Sequence, residues 1–137
     1  MARLGITEAF EIYGATLRNP QWSVSSWTPS GELVVSLWDH HCRRGPPGTI
    51  EFSGNLARWS GPGNTEFRAN VRKAHSERSR VRLVVVKTND TSWIDAGEDA
   101  SKVKKEFFVR EELIGQVTAL SAEAYVFEFR KAPAKLP

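Results

Sequence analysis

The chain has 137 residues, enough for one domain and too few for two well-filled cores. A hydrophobic share of 40%, a charged share of 26% and five tryptophans exclude a disordered or fibrous chain, and the lack of an apolar run of roughly 18 residues excludes a membrane-spanning helix; no membrane partner is expected. The formal charge of +3 permits a polyanionic partner without requiring one. The single cysteine, Cys42, excludes an intrachain disulfide and a cysteine-rich zinc site. "MARLGITEAF" has no apolar signal-peptide core, so a cytoplasmic location is expected.

In chain order, "ITEAFEIYGATL" sets Ile6, Phe10, Tyr13 and Leu17 at helical spacing behind Thr7 as a cap, while "FEIY" also alternates as a strand does; Gly14 limits any helix. "QWSVSSW" and "ELVVSLW" are rich in β-branched and aromatic residues and flank "TPSG", whose proline and glycine suit a reversing turn, so a hairpin is expected. "HHCRRGPPG" reads as a loop and "TIEFS" as a short strand. After "SGPGNT", a helix capped by Asn64 or Thr65 places Phe67, Val71 and Ala74 on a core-facing stripe and Arg68, Arg72 and His75 on the stripe beside it. "VRLVVVK" has the continuous apolar character of a central strand buried on both faces. "TNDTSWIDAGEDASK" reads as a flexible acidic loop, "EFFV" as a strand and "REELIGQ" as one helical turn stopped by Gly115. "VTAL" and "AYVFEFRK" close the chain as a hairpin, with Tyr125, Phe127 and Phe129 on one face.

Strands with one confident helix define the α+β class: a curved antiparallel sheet or small β-barrel packed against one central helix. Residues 1–131 form the single globular domain, and 132–137 a flexible C-terminal tail.

The segments "LRNPQWSVSSW", "GELVVSLWDHH", "RVRLVVVKTND", "LIGQVTAL" and "AYVFEFR" together resemble small bacterial and phage proteins of unassigned function, over roughly residues 10 to 130. In outline the chain is also similar to the PUA and EVE-like readers of modified bases. That resemblance implies recognition of DNA or RNA in a restriction or phage setting.

Three groups of residues carry candidate chemistry. In "RANVRKAHSERSRVR", residues 68 to 82, Arg68, Arg72, Lys73, His75, Arg78, Arg80 and Arg82 face a single acid, Glu77. A row of cations of this kind neutralises successive phosphates and releases counterions; the plainer reading is a solvated helix face. Trp22, Trp27, Trp38, Trp59 and Trp93 are base-stacking candidates, with core packing as the plainer reading. Trp22 and Trp27 would face opposite sides of an unbroken strand, so at most one of them belongs to a given pocket.

His41, Asn55 and His75 are the third group, a remote match to a small metal-dependent nuclease. Asp39, His40 and His41, being adjacent, cannot all point into one metal site, so neither metal nor catalytic residue is assigned. No cofactor motif is present, since P-loop, GxGxxG, GxSxG and HExxH patterns are all missing. The expectation is a nucleic-acid-binding module, for DNA or RNA, that reads a modified or unpaired base. The alternative is a protein-interaction module docking a partner protein through Trp27, Trp38 and Trp93.

Overall fold

The structure, a computed structural model, describes residues 5–98 and 100–132. The expected tail from 133 onward and Asp99 of the acidic stretch lie outside the described residues. Among the described residues, three α-helices and eight strands form an α+β domain on one mixed sheet.

Helix α1, Ile6–Ile12, resolves the ambiguity at the start in favour of a helix, and Gly14 follows it with a φ of +86°. Strands β1, Ser25–Trp27, and β2, Leu33–Trp38, form the expected hairpin with Ser25 opposite Val35. Its turn is closed by the Thr28 amide donating to the Glu32 carbonyl (2.9 Å), with Gly31 in the left-handed region its φ of +90° demands.

The stretch expected to be a loop holds more structure. A 3-10 turn over Asp39–His41 leads into β3, Cys42–Arg44, which pairs with β4, Thr49–Asn55. Pro46 and Pro47 fall in the turn between these strands, where their missing N–H groups cost no ladder bond.

Helix α2, Pro62–Glu77, starts two residues before the expected caps, with Pro62 in the first turn after Gly61. Asn64 is buried inside that turn, and its amide donates to the Leu56 carbonyl (2.8 Å). Phe67, Val71 and Ala74 are all buried, as the periodicity requires, and belong to one cluster with Leu33, Val35, Leu83, Phe127 and Phe129 of the sheet.

Strand β5, Val81–Lys87, runs parallel to β2, with Leu33 opposite Val81 through Trp38 opposite Val86. The sheet is therefore mixed, which corrects the expected antiparallel arrangement. A strand with apolar side chains on both faces is the mark of parallel pairing under helices. Val34 and Val84 point to the face opposite Leu33 and Leu83, where α1 supplies Ala9 and Phe10 and the following chain supplies Ala15 and Leu17. Burial on that second face corrects the expectation of a single helix against the sheet.

The acidic stretch contains α3, Thr91–Asp95, pinned by the buried Ile94, and a 3-10 turn over 100–102. Strand β6, Glu106–Val109, pairs with β5. "LIGQ" is the start of β7, Leu113–Leu120, rather than a helical turn. Gly115 serves the strand: a Cβ there would strike the Phe129 ring and the Glu128 carbonyl. Strand β8, Ala124–Lys131, pairs with both β7 and β4, and Tyr125, Phe127 and Phe129 are buried together on one face. The sheet order is β1-β2-β5-β7-β8-β4-β3, with β6 also on β5. The ends of that order, β1 and β3, do not pair, so the sheet is not closed into a barrel.

Candidate functional site

Three tryptophans from separate segments meet around one cleft of about 450 Å3, within the roughly 300–1,000 Å3 of small-molecule sites. Trp22 is set by a side-chain-braced turn, in which the Ser23 amide donates to the Asn19 carbonyl (2.7 Å) and the Gln21 amide to Asn19 Oδ1 (2.9 Å). Trp38 ends β2. Trp59 lies in the β4–α2 connection, with its ring 6.3 Å from that of Phe67. Phe67, Tyr125 and Arg58 also line the cleft.

The connection that carries Trp59 is tied down at both ends. The Leu56 carbonyl accepts bonds from Asn64 Nδ2 (2.8 Å) and Arg68 Nη2 (2.9 Å), while Arg68 Nε donates to Asn64 Oδ1 (2.7 Å). Arg58 Nη1 donates to the Ile94 carbonyl (2.6 Å), joining this segment to α3. Two glycines permit close backbone approach at the rim. A Cβ at Gly63 would strike the Trp22 carbonyl, and one at Gly97 the Arg58 carbonyl.

The other two tryptophans lie elsewhere. Trp27 Nε1 donates to Asn70 Oδ1 (2.9 Å), and Lys73 Nζ stands 4.7 Å from its ring centroid. Trp93 is exposed on α3. Trp22 and Trp27 thus part company, though not by strand alternation, because β1 begins only at Ser25.

The basic residues divide in the same way. Arg68 and Arg82 are spent on internal bonds: Arg82 donates to the Glu111 carbonyl (2.8 Å), pairs with Glu32 (3.6 Å) and covers the Tyr13 ring (4.8 Å). Arg72, Lys73, His75, Arg78 and Arg80 are exposed.

Below Arg82, the Tyr13 hydroxyl donates to the Leu83 carbonyl (2.7 Å) and accepts from the Arg110 amide (3.0 Å). Burial pushes Tyr13 and Tyr125 each up to about 12. A raised folded-state value means that stability is complete below the unfolded value of 10.0 and is lost as pH climbs from there toward 12. Urea midpoints should therefore fall steeply between pH 10 and 12, and Tyr13→Phe should flatten part of that fall.

His41, Asn55 and His75 do not come together. Asn55 Oδ1 accepts from the Ala57 amide (2.7 Å) and His75 is exposed on the last turn of α2. Instead His40 Nε2 and His41 Nε2 each lie 2.8 Å from Asp95 Oδ1. Of three adjacent residues two do point to one site, and the third member comes from α3. Burial lowers the pKa of His41 and outweighs the opposing pull of the Asp95 hydrogen bond. The two imidazoles, His41 foremost, hold the Asp95 carboxyl below its ordinary value.

Sequence reasoning missed Arg58 and the place of Tyr125 in the cleft, and it weighed Asp95 only together with Asp90, Glu98 and Asp99 as a cation site, set aside in favour of a flexible acidic loop. "ARWSG" offered a cation beside an aromatic, but nothing in the acidic stretch distinguishes Asp95 from its neighbours.

The fold and site define an α+β domain with a mixed open sheet and an aromatic cleft beside a histidine–carboxylate cluster. No protein-family model, curated protein or solved structure matches the chain. Among the described residues no helix is long and apolar enough to cross a membrane.

Proposed function

We propose that the protein binds DNA or RNA, seating an unpaired or modified base among Trp22, Trp38 and Trp59 while the exposed cations of α2 hold the phosphates. The observation that carries this reading is the convergence of three tryptophans and Arg58 on one cleft at the N-terminal end of α2. Flat aromatic faces stack any base, and a cation among them complements its carbonyl edges. The helix rises 1.5 Å per residue, so Arg72 and Arg78 stand roughly 13 Å and 22 Å beyond Gly63 along the axis, a spacing suited to several phosphates.

The sheet in this reading curves about α2. Strand β5 gives the start of one edge to β7 and the remainder to β6, and an irregularity between Val117 and Ala119 bends β7.

Arg78 adds support from an independent direction. It occupies the left-handed region at the end of α2, with a φ of 54°, where glycine is the usual residue. An arginine there sacrifices stability, as functional positions often do.

The test is a titration against single- and double-stranded DNA and RNA, with and without modified cytosine, at two salt concentrations. Arg72→Ala combined with Lys73→Ala should weaken binding for all sequences and reduce the log–log salt slope by about 1.4–1.8. Arg78→Gly should weaken binding while raising stability by about 0.5–1 kcal/mol. Trp38→Ala should cost about 1–3 kcal/mol of affinity and abolish any base preference. Failure of the wild-type protein to bind at low salt would overturn the reading and leave the tryptophan cleft to a protein partner.

A further inference from the structure

The cluster at the end of β2 has a composition that the aromatic cleft does not account for. Two imidazole nitrogens and a carboxylate oxygen, from positions 54 and 55 residues apart in the chain, lie within 4.8 Å of one another. Both histidines approach the same oxygen, Asp95 Oδ1, at 2.8 Å. Adjacent side chains ordinarily diverge, as they do along a strand. Here the 3-10 turn over Asp39–His41 brings the rings to a centroid separation of 4.2 Å, tilted by 59°.

Asp95 is delivered by an element held in place on two sides. Its neighbour Ile94 is buried, and the Ile94 carbonyl accepts the Arg58 bond. The carboxylate is therefore positioned by the fold and does not depend on the histidines to find them.

We propose that His40, His41 and Asp95 form a three-ligand site for a divalent transition-metal ion of the zinc class. Two imidazoles with one carboxylate suit zinc, cobalt or nickel, whereas magnesium and calcium prefer oxygen donors throughout. Metal–ligand bonds of about 2.0–2.2 Å place tetrahedral donors roughly 3.3–3.5 Å apart. Each of the two 2.8 Å contacts then has to open by only about half an ångström to admit the ion.

As a proton-mediated cluster the same three groups offer little. His41 is half-buried, and Asp95, with 53% of its side chain exposed, is well solvated, and an exposed pairing of this kind contributes little stability.

Three protein ligands leave at least one coordination position open, the mark of sites that bind or activate a further ligand rather than of purely structural ones. Trp38 links the site to the cleft, its ring centroid 6.2 Å from that of His40. Arg58, which lines the cleft, is bonded to the residue preceding Asp95. An anionic oxygen is the ligand class that a cation flanked by a guanidinium accepts.

The test uses the tag-free 137-residue chain stripped with a chelator, then titrated with zinc by calorimetry and with cobalt by visible absorption. No nucleic acid is present, so the result is read apart from the nucleic-acid titrations. One ion per chain at micromolar affinity or tighter is expected, with the intense visible bands of low-coordinate cobalt. Asp95→Asn, which keeps the shape of the side chain, and His41→Gln should each weaken zinc at least tenfold, with folding checked by circular dichroism. If His41→Gln fails to fold, Asp95→Asn carries the comparison. Cys42→Ser should bind like the wild type. Absence of stoichiometric binding, undiminished affinity in Asp95→Asn, or loss of binding in Cys42→Ser would each overturn the assignment.

Discussion

Replacing Phe67 with alanine is expected to destabilise the domain by about 3–5 kcal/mol, a large share of the roughly 5–15 kcal/mol by which a typical domain is stable. Phe67 is almost fully buried, and its ring centroid lies 5.3 Å from that of Tyr125, 6.2 Å from that of Phe127 and 6.3 Å from that of Trp59. The substitution removes the apolar area, opens a cavity that a sheet on one side and a helix on the other cannot collapse, and deletes several ring contacts at once. Phe67→Leu, which keeps most of the volume, should cost about 1–2 kcal/mol. Urea denaturation measures both. A loss below about 1 kcal/mol for the alanine variant would mean that α2 does not pack on the sheet through this residue. Because Phe67 also borders the cleft, near-ultraviolet dichroism from Trp59 should change in the alanine variant even where the domain remains folded.

The second large effect concerns Gly97. Its φ of +79° lies in the left-handed region, and a Cβ would meet the Arg58 carbonyl oxygen, a backbone atom with no rotamer to yield. Gly97→Ala should therefore combine left-handed strain of about 1–2 kcal/mol with the cost of separating α3 from the β4–α2 connection, for a total of about 2–4 kcal/mol. Gly31 provides the control. It shares the positive φ, but a Cβ there would have nothing within 4 Å, so Gly31→Ala carries the strain alone. The difference between the two variants in denaturant midpoint isolates the contact with Arg58. Equal losses would show that the two segments are not pressed together.

The parts of the fold that were legible in the sequence are those fixed by local chemistry. The β1–β2 hairpin follows from "TPSG", and the buried face of α2 follows from the spacing of Phe67, Val71 and Ala74. Errors arose where one residue type serves two purposes. Asn64 looks like a helix cap, yet its amide is used to hold the Leu56 carbonyl. Gly115 looks like a helix stop after "REELI", yet it makes room for the Phe129 ring across the strand. The orientation of β5 was available in principle from its continuous apolar run, but the choice of β2 as partner depends on where the chain goes between them.

The candidate site was less legible, because Trp22, Trp38 and Trp59 are separate in sequence and only the tertiary fold selects them from five. Arg68 and Arg82 could not be told from Arg72 by charge alone. What separates them is the set of carbonyls within reach: those of Leu56 and Glu111 for the first two.

The position of β8 bears on how the protein is made. It is the last strand in the chain, yet it lies between β7 and β4 and joins the two halves of the sheet. As the polypeptide leaves the ribosome, β2 must wait about forty residues for β5, and β4 must wait still longer for β8. Until then one edge of each waiting strand is bare, the other being held by β1 or β3, so the sheet is completed only after nearly all of the described chain has emerged. A nascent chain stalled before Ala124 therefore carries an unpaired β4 edge, a template for wrong pairing with another chain.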